Sequence, residues 1–230
     1  MRRLDGGTWQ FFRENHFQFK SFFTCVLQVF SENPSMSDPN EPPLAAPGAG
    51  LPGPELFVAR RLFAWKRRFG SREVSSRQFE SERAAILDLL AVIPEDLRGR
   101  RVLIPRLRGL EDSSRHWSVW MTLDHLRITN EAFGSVIASL AAGKIPPGKA
   151  DTAAVKPTPF AGPEVEAAYE ASCGNLVAMV AGIADWKTAP RFPHPWFGPL
   201  DAAGWHALSA THLGIHRAQI AEIARRLPGS

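Results

Sequence analysis

The chain of 230 residues has two cysteines, one tyrosine and four methionines. Cys25 and Cys173 form no CxxC pair, so neither a disulfide framework nor a thiolate zinc knuckle can be built from them. No run of eighteen apolar residues occurs, which excludes a polytopic membrane protein. Charge of one sign is also scarce: the net charge is +4, with 22% charged residues. Nothing of helix-turn-helix, zinc-finger or aromatic-interleaved type accompanies that modest excess, so nucleic acid is not the expected partner. A reducing cytoplasm is the expected compartment. A core of this size stands without a metal staple, so any metal is expected to be functional rather than structural.

What is present is unevenly distributed. Seven of the fifteen phenylalanines precede residue 36, following neither a helical nor a strand period. After them, residues 36–50 read MSDPNEPPLAAPGAG, a Pro- and Gly-rich leader. Residues 1–50 are therefore expected to be an irregular leader, with Met36 as a candidate true start. Residues 51–230 are expected to be the folded domain.

That domain reads as all-α. A short basic helix over 55–69 precedes four longer ones, at about 77–93, 115–142, 163–186 and 202–227. Ser76 and Asp201 are the expected N-caps, and Pro228-Gly229 is the final stop. Four amphipathic helices of this length predict an up-and-down four-helix bundle with an additional N-terminal helix.

Three histidines carry the functional signal. His212 and His216 are four apart, hence one turn apart on one face of the last helix. Trp205, Leu208, Ile215 and Ile220 lie near that face, which turns it inward. His125 lies between Met121 and Ile128 on the apolar side of its own helix. If alternate helices of the bundle run parallel, His125 and His212 sit at matching depths, about 15–17 Å from their helix starts. A single His-x-x-x-His is a weak motif, and hydrogen-bonded core histidines are the plain alternative. Three buried imidazoles without a partner are costly, however, and a shared divalent metal relieves the cost. Three ligands leave a coordination position open, the catalytic pattern. Zinc, nickel or iron suits imidazole. Residues 213–215 are Leu-Gly-Ile, so no zincin glutamate stands between the ligands.

The segments SSRHWSVWMTLDHLRITN and HPWFGPLDAAGWHALSATHLGIHRAQI resemble the DinB/YfiT-like superfamily of four-helix-bundle proteins, over roughly residues 72–227. The resemblance lies in Trp117 at the start of the second bundle helix, in His125 after Asp124, in the loop His194–Leu200, and in His212 and His216. It implies a metal centre held by His125, His212 and His216. It further implies metal-dependent chemistry, in some relatives transferase or isomerase chemistry with a low-molecular-weight thiol, in others hydrolysis. The expected function is a metalloenzyme activating a thiol or water against a small molecule. A metal-binding or regulatory module without catalysis is the alternative.

No general base is evident. Asp124 is poorly placed to orient His125, its immediate neighbour. Glu131 and Asp185 are candidate outer groups, as are Glu80 and Glu82 from the opposite helix, each read first as solvated. Cys173 reads as a small buried hydrophobe, His194 as a cavity-mouth residue, and His116 and His206 as surface or capping residues. Arg98, Arg100, Arg101, Arg106, Arg108 and Arg115 cluster ahead of the His125 helix, in a loop expected at the same end as the loop preceding His212. Such a mouth would favour an anionic substrate or thiol. A homodimer is the expected assembly, on the general habit of bundles.

Overall fold

The computed structural model describes residues 42–228. Expectations placed on earlier positions, including the phenylalanine-rich stretch and the start at Met36, lie outside the described residues.

Among those residues the protein is helical, with two small hairpins. The helices are α1 (Gly53–Phe69), α2 (Arg72–Val92), α3 (Val119–Ala141), α4 (Glu164–Ala181) and α5 (Ala202–Ala224). Strand β1 (Val102–Leu103) pairs antiparallel with β2 (His116–Trp117), and β3 (Phe192–His194) with β4 (Gly198–Leu200). Helices α2 to α5 form a four-helix bundle, and α1 lies against α5.

Side-chain caps set three helix starts. Ser71 accepts from the Val74 amide, Ser118 from Met121 and Asp201 from Gly204, each satisfying a first-turn donor. Asp201 is the cap expected from the sequence. Helix α2 begins five residues before the expected 77, with Ser71 rather than Ser76 as its cap, because its first turn, Arg72–Ser75, is mostly polar and adds little to the apolar period. Helix α4 stops at Ala181, short of the expected 186. Gly182 caps it, while Ile183 and Trp186 pack on the core from the following loop. The proline-rich stretch after it, expected as loop, contains the β3–β4 hairpin, which Gly198 turns at φ +68°.

The core is a single cluster drawn from every helix. Ile86, Leu123, Ile137, Tyr169, Leu213 and Ile220 are fully enclosed within it. Phe63 brings α1 to it, packing at a tilt on Phe197 in the second hairpin. Leu56 is half-buried, while Phe57, Val58, Leu62, Trp65 and Phe69 of α1 face solvent rather than the core.

Helix directions depart from simple alternation. Trp117 meets His216, while Phe133 meets Trp205, so α3 and α5 run antiparallel. Asn130 bonds Ser172 and Trp120 bonds Glu166, so α3 and α4 run parallel. Ser76 meets His206 and Glu82 meets Arg217, so α2 and α5 are parallel too. The parallel arrangement of the His125 and His212 helices, expected from alternation, is thus corrected. The cause is the connection 142–163. Extended, it reaches about 70 Å, twice the roughly 35 Å length of a 23-residue helix. It can return to the end where α3 began, and α4 then starts beside α3.

Candidate metal centre

His125 stands near the start of α3, His212 stands at the middle of α5 and His216 one turn beyond it. Because these two helices are antiparallel, a position six residues into one faces a position eight or more from the end of the other. The three rings meet with centroids 4.4–5.0 Å apart. One ring nitrogen from each lies within 4.8 Å of the other two, a group that could hold a metal ion. The depths expected from the sequence are corrected: α3 starts at Val119 rather than at 115, so His125 lies only six residues in, and it meets α5 from the opposite end.

The ring nitrogens are assigned by their partners. His125 Nδ1 lies 2.6 Å from the Val155 carbonyl, which can only accept, so this nitrogen carries the proton. Gln219 Nε2 donates to the Ser114 carbonyl at 2.8 Å, which fixes its amide orientation. Its Oε1 therefore faces His216 Nδ1 at 2.6 Å and accepts from it. Both Nε2 atoms are left as bare lone pairs. His125 Nε2 is 3.2 Å from His212 Nε2. Two ligands of a tetrahedral zinc at 2.0–2.1 Å are about 3.3 Å apart. The donor set, its spacing and its tautomers fit a divalent cation.

Electrostatics agree. Burial holds His125 down to about 4. Burial, then the neighbouring imidazoles, holds His212 well below its ordinary value, and burial does the same for His216. All three are neutral at pH 7, the form that ligates. Their walls are aromatic. Trp117 stacks on His216, with ring planes 9° apart, and Phe133 presents an edge to His212. Lys156 Nζ stands 5.5 Å from the Trp117 ring centre.

Other sequence candidates are placed elsewhere. Asp124 is buried, but it accepts from Arg127 and from the Thr158 amide, anchoring the connection rather than orienting His125. Glu131 binds Arg127, and Asp185 caps the Lys187 amide. Glu80 pairs with Arg83 and Glu82 with Arg217. Cys173 is enclosed, and burial pushes its thiol up to about 11. His194 Nδ1 accepts from the Trp196 amide at 3.1 Å, so its proton sits on Nε2 and it offers no lone pair there. His206, expected at the surface, is only 3% exposed and bonds Ser76 at 2.9 Å.

The expected position of the arginine loop is also corrected. Ser114 bonds Gln219, so the loop 98–115 lies where α5 ends, away from the hairpin that precedes α5. Arg98 is held by Glu166 and two carbonyls, Arg106 by Glu55, and Arg115 by Asp112 and the Ile104 carbonyl. These three guanidiniums tie segments together.

The orienting groups were the part that sequence reasoning missed. Gln219 had a signal, since it lies three residues after His216 and so on the same face. The Val155 carbonyl had none, because any residue supplies one.

The family model of the DinB superfamily matches residues 41–220. A solved structure, the crystal structure of TT2238, a four-helix bundle protein, is 22% identical, covers 64% of this chain and 96% of its own, and has a TM-score of 0.47. No curated protein matches the chain.

Proposed function

Because the chain belongs to the DinB superfamily, we propose that His125, His212 and His216 are the ligands of one divalent metal in a small-molecule enzyme. The observation that carries this is the commitment of two Nδ1–H groups to Val155 and Gln219, which leaves Nε2 lone pairs converging with His212. Buried imidazoles kept only for packing also need an acceptor for their N–H, but they do not need a nitrogen of each within 4.8 Å of the other two.

Zinc, nickel or iron held there supplies a Lewis acid that brings a water or a low-molecular-weight thiol toward its anion near neutral pH. Three protein ligands leave room for that second molecule. The chain's own residues do the rest. Val155 and Gln219 fix the ring planes and tautomers. Trp117 and Phe133 keep the surroundings of low dielectric, which strengthens charge interactions inside. No described carboxylate touches the three rings, so the nucleophile's proton is expected to leave with solvent or with the substrate. Transferase, isomerase or hydrolase chemistry is compatible with this equipment.

No helix among the described residues is long and apolar enough to cross a membrane. A cytoplasmic setting, with Cys173 reduced, belongs to the same proposal. So does residues 51–230 as the functional domain. A homodimer is proposed as well, favoured by the exposed Phe57, Leu62, Trp65 and Phe69 of α1; sedimentation of the full chain tests it.

The test has two arms. Elemental analysis of wild type and of the His125→Ala, His212→Ala and His216→Ala variants should show one metal per chain, lost in each variant. Turnover of a panel of thiols and electrophiles, and of esters and amides, should follow the metal. Undiminished metal content in all three variants defeats the site. Full metal content with no turnover on either panel makes the protein a metal-binding module.

A further inference from the structure

The two orienting arms of the histidine cluster come from separate segments, and one ion pair joins them. The first arm is the Val155 carbonyl on the connection between α3 and α4, which holds His125. The second is the Ser114 carbonyl in the loop before α3, which holds Gln219 and through it His216. Lys156, next to Val155, lies 2.7 Å from Glu111 and also donates to the hydroxyls of Ser113 and Ser114. Glu111 is 6% exposed and its other oxygen accepts from Thr152 at 2.9 Å. Its carboxyl is held below the ordinary value, burial being outweighed by Lys156 and Thr152.

Lys156 and Glu111 thus tie residues 152–156 to residues 111–114. Neither side chain is bonded to a histidine. A lysine brought beside neutral metal ligands would oppose a cation there, and the Glu111 carboxylate offsets that charge. Removing either partner leaves a charge in a largely desolvated place and frees both carbonyl-bearing segments.

We propose that Glu111 and Lys156 are positioning residues for the metal centre, setting its affinity and ligand geometry by holding the His125 and His216 orienting groups in register. This rests on the proposed metal site.

The experiment measures zinc affinity by competition with a chromophoric chelator and records the visible absorption of the cobalt(II) form. It compares the full-length wild type with Glu111→Gln, Lys156→Met, Lys156→Arg and a control, Glu166→Gln. The control breaks another half-buried ion pair, Arg98–Glu166, neither partner of which bonds a ring of the cluster, Gln219, Val155 or Ser114. Outer groups of metal ligands typically change affinity 10–100-fold. Glu111→Gln and Lys156→Met should each weaken zinc about tenfold or more and alter the cobalt bands. Lys156→Arg should stay within about threefold, and Glu166→Gln should lower Tm while leaving affinity and bands unchanged. Wild-type affinity and bands in Glu111→Gln and Lys156→Met overturn the proposal, even if their Tm falls, because a merely structural pair moves only Tm. Zinc affinity of wild type no better than that of His212→Ala overturns the metal reading itself, a result separable from the first.

Discussion

Helix α5 carries buried imidazoles at two places, and the two are built differently. At His206 one ring is buried alone. Its Nε2 meets Ser76 on α2, while Nδ1 has no partner of good geometry, although the Arg72 backbone is near. Trp186 covers it. One and a half turns on, His212 and His216 meet His125, and two of the three rings have Nδ1 committed to an acceptor. Burial is common to both places and holds His206 down to about 4, as it does His125. Burial therefore does not distinguish a ligand from a strut. Convergence of three rings, two of them aimed by an outer acceptor, marks the proposed ligands.

Zinc should separate the two places most widely. Saturating zinc at about a thousand times Kd stabilises a one-site protein by about 4 kcal/mol. Thermal unfolding with and without zinc should show a stabilisation of that order in wild type and in His206→Ala. It should be absent in His212→Ala. Equal zinc stabilisation of all three proteins would erase the distinction.

Acid should next affect both places alike. A histidine whose folded pKa is depressed binds fewer protons when folded, so stability rises with pH between the two values. The contribution is complete above about 6.5 and is lost as pH falls toward about 4. For His125 alone the loss is roughly 3 kcal/mol. Urea titrations of the metal-free protein from pH 7.5 to 4 should show falling stability, and His206→Phe should remove only part of the slope. A flat profile would mean that the rings are not held neutral.

Gln219→Ala should have a smaller effect, confined to the cluster. Zinc affinity should drop 10–100-fold, read by chelator competition, with little change at His206. Smallest is Ser76→Ala. It deletes one half-buried hydrogen bond, about 1 kcal/mol, measured by urea unfolding, with zinc affinity untouched.

These contrasts also show how far the sequence reaches. The helices were legible because their apolar periods are long, and Asp201 announced α5 by its capping chemistry. Their directions were not, because residues 142–163 are long enough to return or to turn back. His125, His212 and His216 were legible from spacing, apolar neighbours and the family resemblance. The depth argument picked the residues that cluster, but through the wrong direction: His125, near the start of α3, meets α5 because the two helices are antiparallel. His206 was misread as superficial because nothing local shows that Ser76 and Trp186 would cover it. Backbone acceptors such as Val155 leave no mark in a sequence, and so the tautomers waited for the structure.

The central claim is that three Nε2 atoms hold one metal. Crystals of the zinc-loaded protein, measured on either side of the zinc absorption edge, test it most directly. One anomalous peak is expected about 2.0–2.1 Å from Nε2 of His125, His212 and His216. No peak there, or a peak at His206 or His194 in its place, would contradict the assignment.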